Sequence, residues 1–144
     1  MDVDEQSLGS RIASLLESRQ EVLEAYLFGS RARGGAQPHS DLDIAVYIDE
    51  AYEDKSVFGL RAELTTILMA GLRDNGVDLL ILNNAPPVLY YHVLRDGVRV
   101  LSRDLAATTT REGRAVSRYC DFVPQLAKME AARSTAARSR SQPE

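Results

Sequence analysis

The stretch Ala25-Tyr26-Leu27-Phe28-Gly29-Ser30-Arg31-Ala32-Arg33-Gly34, answered after a short loop by Ser40-Asp41-Leu42-Asp43, leaves few ways for this chain to fold. An apolar run leads into the Gly-Ser turn, and a second, Ile44-Ala45-Val46-Tyr47-Ile48, leads away from it. Both have strand length and strand composition. The second strand therefore opens with two carboxylates one residue apart. Residues i and i+2 of a strand share a face, so Asp41 and Asp43 project side by side. Like charges that close repel and shift each other's titration. One reading is a solvated strand end. The other is a divalent-metal site, where oxygen ligands suit Mg²⁺ and the cation relieves the repulsion. Gly29 can take backbone angles that a β-carbon forbids and lets a ligand come close. A helix starting near Ser30 would present free N–H groups and its dipole to a phosphate. A phosphate cradle beside a carboxylate pair is what nucleotide chemistry needs.

The remaining pattern supplies a frame for that turn. Leu8, Ile12, Leu15 and Leu16 fall on one face of a helix over Leu8–Arg19, followed by strands over Val22–Phe28 and Leu42–Ile48. A short helix is expected around Ser30–Gly34, then a loop through His39. Leu60, Leu64, Ile67, Leu68 and Leu72 stripe a second helix, Ser56–Arg73, which Asn75-Gly76 closes. Val77 to Leu82 reads as a third strand, apolar enough to be buried on both faces. Asp78 is its odd residue, because a charge in such a run is costly unless paired or metal-bound. It reads either as a strand-end aspartate facing water or as a third carboxylate for the same site. Pro86-Pro87 suits the start of a helix over Val88–Arg95. Val98–Leu101 is a fourth strand, and Asp104 is placed to cap a helix from about Leu105 to about Ala132. Tyr119, Phe122, Leu126 and Met129 form that helix's packing face, and the Ser/Ala/Arg-rich residues 134–144 read as disordered.

Charge and composition narrow the function. The 144 residues carry a net charge of −4, no apolar run of membrane-spanning length, and an acidic N-terminus unlike a signal peptide. A cytoplasmic protein is expected. Residues 111–144 hold seven Arg/Lys against four Asp/Glu, a balance of +3, whereas residues 1–110 stand at −7. An acidic body argues against broad nucleic-acid binding and fits a site that meets phosphates through metal ions. The basic tail fits an RNA or an acidic partner, and equally a solvated end. One cysteine and two histidines exclude a disulfide framework and argue against a zinc site or thiol catalysis. His39 is expected to be exposed, His92 to be structural or partner-facing, and Cys120 to be a small buried residue.

The string Gly29-Ser30-Arg31-Ala32-Arg33-Gly34-Gly35-Ala36-Gln37-Pro38-His39-Ser40-Asp41-Leu42-Asp43-Ile44-Ala45-Val46 resembles the signature of the nucleotidyltransferase superfamily that includes DNA polymerase β. The short chain is similar to a minimal nucleotidyltransferase (MNT). The resemblance implies an α/β (α+β) polymerase β-like fold, a small mixed sheet flanked by helices plus a C-terminal helix. It divides the chain into a nucleotidyltransferase domain over 1–104, a helix over 105–133 that packs on the domain or a partner, and the tail. It implies two Mg²⁺ ions held by Asp41, Asp43 and Asp78, with Asp78 completing the site of the ion that activates the acceptor hydroxyl. Gly29 and Ser30 would grip the β- and γ-phosphates of a nucleoside triphosphate. Arg33 either contacts the triphosphate or braces the turn through a salt bridge.

Two further segments, Tyr90-Tyr91-His92-Val93-Leu94-Arg95-Asp96-Gly97 and Arg118-Tyr119-Cys120-Asp121-Phe122-Val123-Pro124, resemble MNT antitoxins partnered with HEPN toxins. Such antitoxins use ATP and Mg²⁺ to transfer AMP onto a tyrosine of the toxin, a ribonuclease, and so silence it. The resemblance thus implies a protein adenylyltransferase with a HEPN toxin as partner and the C-terminal helix as a docking surface. Its rivals are an antibiotic nucleotidyltransferase, for which the chain is short, and an antitoxin that inhibits by binding alone.

Overall fold

The computed structural model describes residues 2–29, 41–52 and 57–141. Helix α1 (Asp2–Glu17) leads into β1 (Val22–Phe28), and β2 is Leu42–Ile48. After a 3-10 turn at Glu50–Tyr52 come α2 (Val57–Leu72), β3 (Val77–Ile81), a second 3-10 turn at Leu82–Asn84, α3 (Pro87–Asp96), β4 (Val98–Ser102) and α4 (Leu105–Ser141).

The sheet runs β3-β2-β1-β4. β1 lies antiparallel to both β2 and β4, while β2 and β3 are parallel. This is the mixed sheet expected from the sequence. The strand alternation assigns each face its helices. Leu42, Ile44, Val46 and Ile48 of β2 pack with Ile12 and Leu16 of α1 and Leu64, Leu68 and Leu72 of α2. Ile12, Leu16, Leu64 and Leu68 are fully buried, each contributing about 1.5–3 kcal/mol by removal from water. On the other face, Tyr26 and Ala45 pack with Tyr90 and Val93 of α3 and Ala115 of α4.

Three expectations need correction. First, among the described residues β3 is an edge strand bonded only to β2, and of its own residues only Leu79 is buried. Its apolar run reflects one packed face and one sheet edge, not burial on both sides. Second, α2 is not closed at Asn75-Gly76. Arg73 takes the left-handed position (φ 54°), and the Asp74 N–H donates back to the Met69 carbonyl at 3.1 Å, the Schellman arrangement that terminates a helix. Third, α4 does not stop near Ala132 but continues to Ser141. Asp104 caps it as expected, accepting from the Ala107 N–H at 3.3 Å.

A polar network fastens the first turns of α4 to the sheet. Glu24 of β1 is fully buried. It accepts hydrogen bonds from Arg111 Nη2 at 2.7 Å, Arg111 Nε at 3.1 Å and Thr108 Oγ1 at 3.0 Å. The Arg111 guanidinium lies 5.0 Å from the centre of the Tyr47 ring, within cation–π reach. Beside it, Tyr26 donates to Glu112 at 2.7 Å, and Arg99 donates to both Glu112 oxygens at 2.9 Å. Burial pushes the Tyr26 phenol upward, so it remains a neutral donor. Further along, Tyr119 stacks on Tyr91 of α3 with ring centres 3.9 Å apart. Beyond Tyr119 no described residue of α4 is buried, and at 1.5 Å per residue the helix runs on for about 33 Å.

Candidate active site

Asp43 is the second residue of β2, the strand flanked by β1 and β3. Parallel pairing sets it opposite Asp78 of β3, and antiparallel pairing sets it opposite Phe28 of β1. Residues in register on neighbouring strands share a face, so Asp43 and Asp78 stand side by side. That face is the one carrying Ala45 and Leu80, which pack towards α3 and α4. Asp41 precedes β2 by one residue and is exposed.

Two glycines make room for these carboxylates. Gly29, with φ at 78°, follows β1 next to Asp43. A β-carbon there would collide with Asp43 Oδ2 and stand 3.0 Å from its Cγ. Gly76 performs the same service for Asp41: a β-carbon on it would lie 2.7 Å from Asp41 Oδ1. The loop holding Gly76 is pinned at both ends. Its N–H donates to Asp74 Oδ1 at 2.8 Å, and its carbonyl accepts from the Leu42 N–H at 2.6 Å. Gly76 therefore serves the site rather than the helix end.

The electrostatics follow from this crowding. Burial, then the charges of Asp78 and Asp41, raise the Asp43 carboxyl above the usual carboxylate range. Among the described residues no three acidic, histidine or cysteine side chains close into a metal cage. The three aspartates are near neighbours around a common face instead. Their chemistry nevertheless fits a divalent cation. The donors are oxygen only, they repel one another, and Gly29 and Gly76 keep space beside two of them.

Ser30, Arg33 and His39, with the short helix and loop expected around them, lie outside the described residues. His92 is exposed on α3. Cys120 is exposed rather than buried, because it lies off the side of α4 on which Tyr119 stacks against α3. Sequence reasoning missed Arg61 of α2. Its Nε donates to the Leu79 carbonyl at 2.9 Å, and its Nη2 stands 3.8 Å from Asp78 Oδ1. It also missed the Glu24–Arg111 pair beneath α4. The only signal for that pair was a glutamate at a core-facing position of β1.

Comparison with known proteins places this geometry among relatives. The family model for "Polymerase beta, Nucleotidyltransferase" matches residues 10–106. Among solved structures, a toxin–antitoxin with AMP-PNP is similar at 26% identity and TM-score 0.69, covering 86% of this chain and 97% of that one. A tri-AMPylated Shewanella oneidensis HEPN toxin in complex with MNT antitoxin matches at 26% identity and TM-score 0.66, over 88% and 98% of the two chains. A toxin–antitoxin variant with aspartate-to-glutamate changes two positions apart matches at 25% identity and TM-score 0.69, over 86% and 97%. Comparison with the curated proteins returns no match. Among the described residues no helix is long and apolar enough to cross a membrane.

Proposed function

Because the chain belongs to the polymerase beta nucleotidyltransferase family, we propose that it is an antitoxin that transfers AMP from ATP to a tyrosine hydroxyl of a cognate HEPN ribonuclease toxin. The observation that carries this reading is the pairing of Asp43 with Asp78, with Gly29 cleared of side chain beside Asp43. The structural likeness to an MNT antitoxin in complex with an AMPylated HEPN toxin supports the choice of acceptor. The likeness to a toxin–antitoxin holding AMP-PNP supports ATP as donor. In another similar toxin–antitoxin the two altered aspartates are spaced as Asp41 and Asp43 are in this chain.

Asp41, Asp43 and Asp78 would hold the Mg²⁺ ions. Bound there, two such ions stabilise the attacking and leaving oxygens of an in-line phosphoryl displacement. The tyrosine oxygen forms a bond to the α-phosphorus, the bond from that phosphorus to the bridging oxygen breaks, and pyrophosphate leaves. Asp78, 66% exposed at the open edge of the sheet, is the carboxylate an incoming hydroxyl can reach, and it receives the hydroxyl proton. Gly29 lets the β- and γ-phosphates approach the backbone, where Ser30 would grip them and Arg33 would contact or brace them. The exposed length of α4 beyond Tyr119 would dock the toxin.

The test is the intact mass of the neighbouring-gene product, if that gene encodes a HEPN toxin, after incubation with this protein, Mg²⁺ and each nucleotide in turn. Mass gain in AMP steps with ATP, lost in Asp41→Asn, is the expected result. A stable complex with no gain would replace this reading with inhibition by binding. No gain and no complex would point to a small-molecule acceptor.

A further inference from the structure

The cation beside Asp78 reaches it from the wrong side of the sheet. Helix α2 packs on the face opposite the one that carries Asp43 and Asp78. Arg61 projects from α2 around the open edge of β3. Its Nε donates to the outward-facing Leu79 carbonyl at 2.9 Å, and its Nη2 lies 3.8 Å from Asp78 Oδ1. Among the described residues β3 has no strand neighbour on that side, so the guanidinium takes a place an adjoining strand would otherwise fill.

We propose that Arg61 is the resident counter-ion of Asp78, a positioning residue that holds this carboxylate in place at the sheet edge and yields it to a divalent cation. The inference rests on the reading of Asp78 as a metal ligand. Three observations support it. The bond to the Leu79 carbonyl fixes the guanidinium independently of Asp78, so little further ordering is needed to set the charge there. The contact is long and both side chains are half exposed, 50% for Arg61 and 66% for Asp78, so a doubly charged ion can outcompete it. The guanidinium also has somewhere to go. A groove of about 490 Å³ opens between α2 and β3, lined by Arg61, Thr65, Thr66, Val77 and Asp78.

The experiment is calorimetric titration of the full chain with Mn²⁺ alone, without nucleotide or acceptor. Wild type is compared with Arg61→Gln, Arg61→Lys, Asp78→Asn and the double variant Asp78→Asn/Arg61→Gln, with thermal midpoints recorded alongside. Removing an exposed counter-ion is expected to tighten Mn²⁺ binding about two- to fivefold in Arg61→Gln. Arg61→Lys, which keeps the charge, stays within about twofold of wild type. In the Asp78→Asn background the Arg61→Gln change has no effect, because its target is gone. Equal Mn²⁺ affinity in wild type and Arg61→Gln overturns the proposal, and so does an undiminished effect without Asp78. Wild-type protein that takes up no Mn²⁺ overturns both this proposal and the metal assignment. Since no ATP is present, the result on Arg61 stands whichever way the transfer assay falls.

Discussion

Arg111→Met should destabilise the fold more than any substitution of the site's carboxylates, although Arg111 is remote from them. Glu24 has no exposure to solvent. Arg111 supplies the contacts at 2.7 and 3.1 Å, leaving among the described residues the Thr108 hydroxyl at 3.0 Å once it is removed. Breaking one side of a buried ion pair costs about 3–5 kcal/mol, because the surviving charge stays out of water without its partner. Loss of the contact with the Tyr47 ring adds about 0.5–1 kcal/mol. A total of about 3.5–6 kcal/mol is a large share of the roughly 5–15 kcal/mol that holds an ordinary domain together. For a chain of this size it lowers the thermal midpoint by about 7–24 °C. Urea unfolding followed by circular dichroism measures the free energy directly. The control is Glu24→Met/Arg111→Met, which removes both charges and is expected within about 1 kcal/mol of wild type, or above it. A loss under about 1 kcal/mol for Arg111→Met would refute the argument. So would a double variant as unstable as the single one.

The remaining predictions concern the site. Asp43→Asn is expected to abolish AMP transfer while raising the thermal midpoint of the metal-free protein at pH 7. Burial and the neighbouring Asp78 and Asp41 raise the folded-state pKa of Asp43, so its ionisation opposes folding increasingly as pH rises through the shifted range. The gain from Asn therefore disappears in acid, below the ordinary aspartate range; a midpoint that falls at pH 7 would contradict the crowding of the three carboxylates. Asp78→Asn should cut the transfer rate while ATP binding, followed by calorimetry, largely survives; equal loss of both would assign Asp78 a different role. Gly76→Ala should weaken Mn²⁺ binding while leaving α2 intact by circular dichroism, since its β-carbon would press on Asp41 Oδ1 at 2.7 Å. Loss of helix instead would return Gly76 to the role of a cap.

Much of the site's scaffold was legible because it is local. The bounds of β1 and β2 follow from the apolar runs on either side of Gly29-Ser30, and the i, i+2 spacing of Asp41 and Asp43 can be read directly from the chain. Asp78 could be singled out because a charge is conspicuous in Val77–Leu82. What escaped depends on contacts between distant segments. Whether β3 is central or at an edge is decided by which strands pair, and an apolar run reads the same in either place. Arg61 sits on the polar side of α2, where an arginine is unremarkable, and its meaning depends on the packing of α2 against β3. Glu24 and Arg111 are far apart in sequence and meet only once α4 lies across the sheet. Gly76 was recognised as special but given the commoner of two roles, since nothing local distinguishes a helix cap from clearance for Asp41. Cys120 was expected inside because free cysteines usually are, yet it lies off the side of α4 that meets α3 through Tyr119.

The position of Arg111 has a consequence for the order in which the chain can be made. β1 leaves the ribosome before β4 and α4, so it cannot finish folding then. Its outer neighbour is β4 and the counter-charge of Glu24 comes from α4. At about 5–20 residues per second, the interval between synthesis of Glu24 and of Arg111 is several seconds, during which a glutamate destined for the interior must stay hydrated. Docking of α4 is what dehydrates it, so the sheet and the helix that extends from it become native together, once Arg111 has been made. A chain released before Arg111 is made would lack both the core charge partner and the exposed arm.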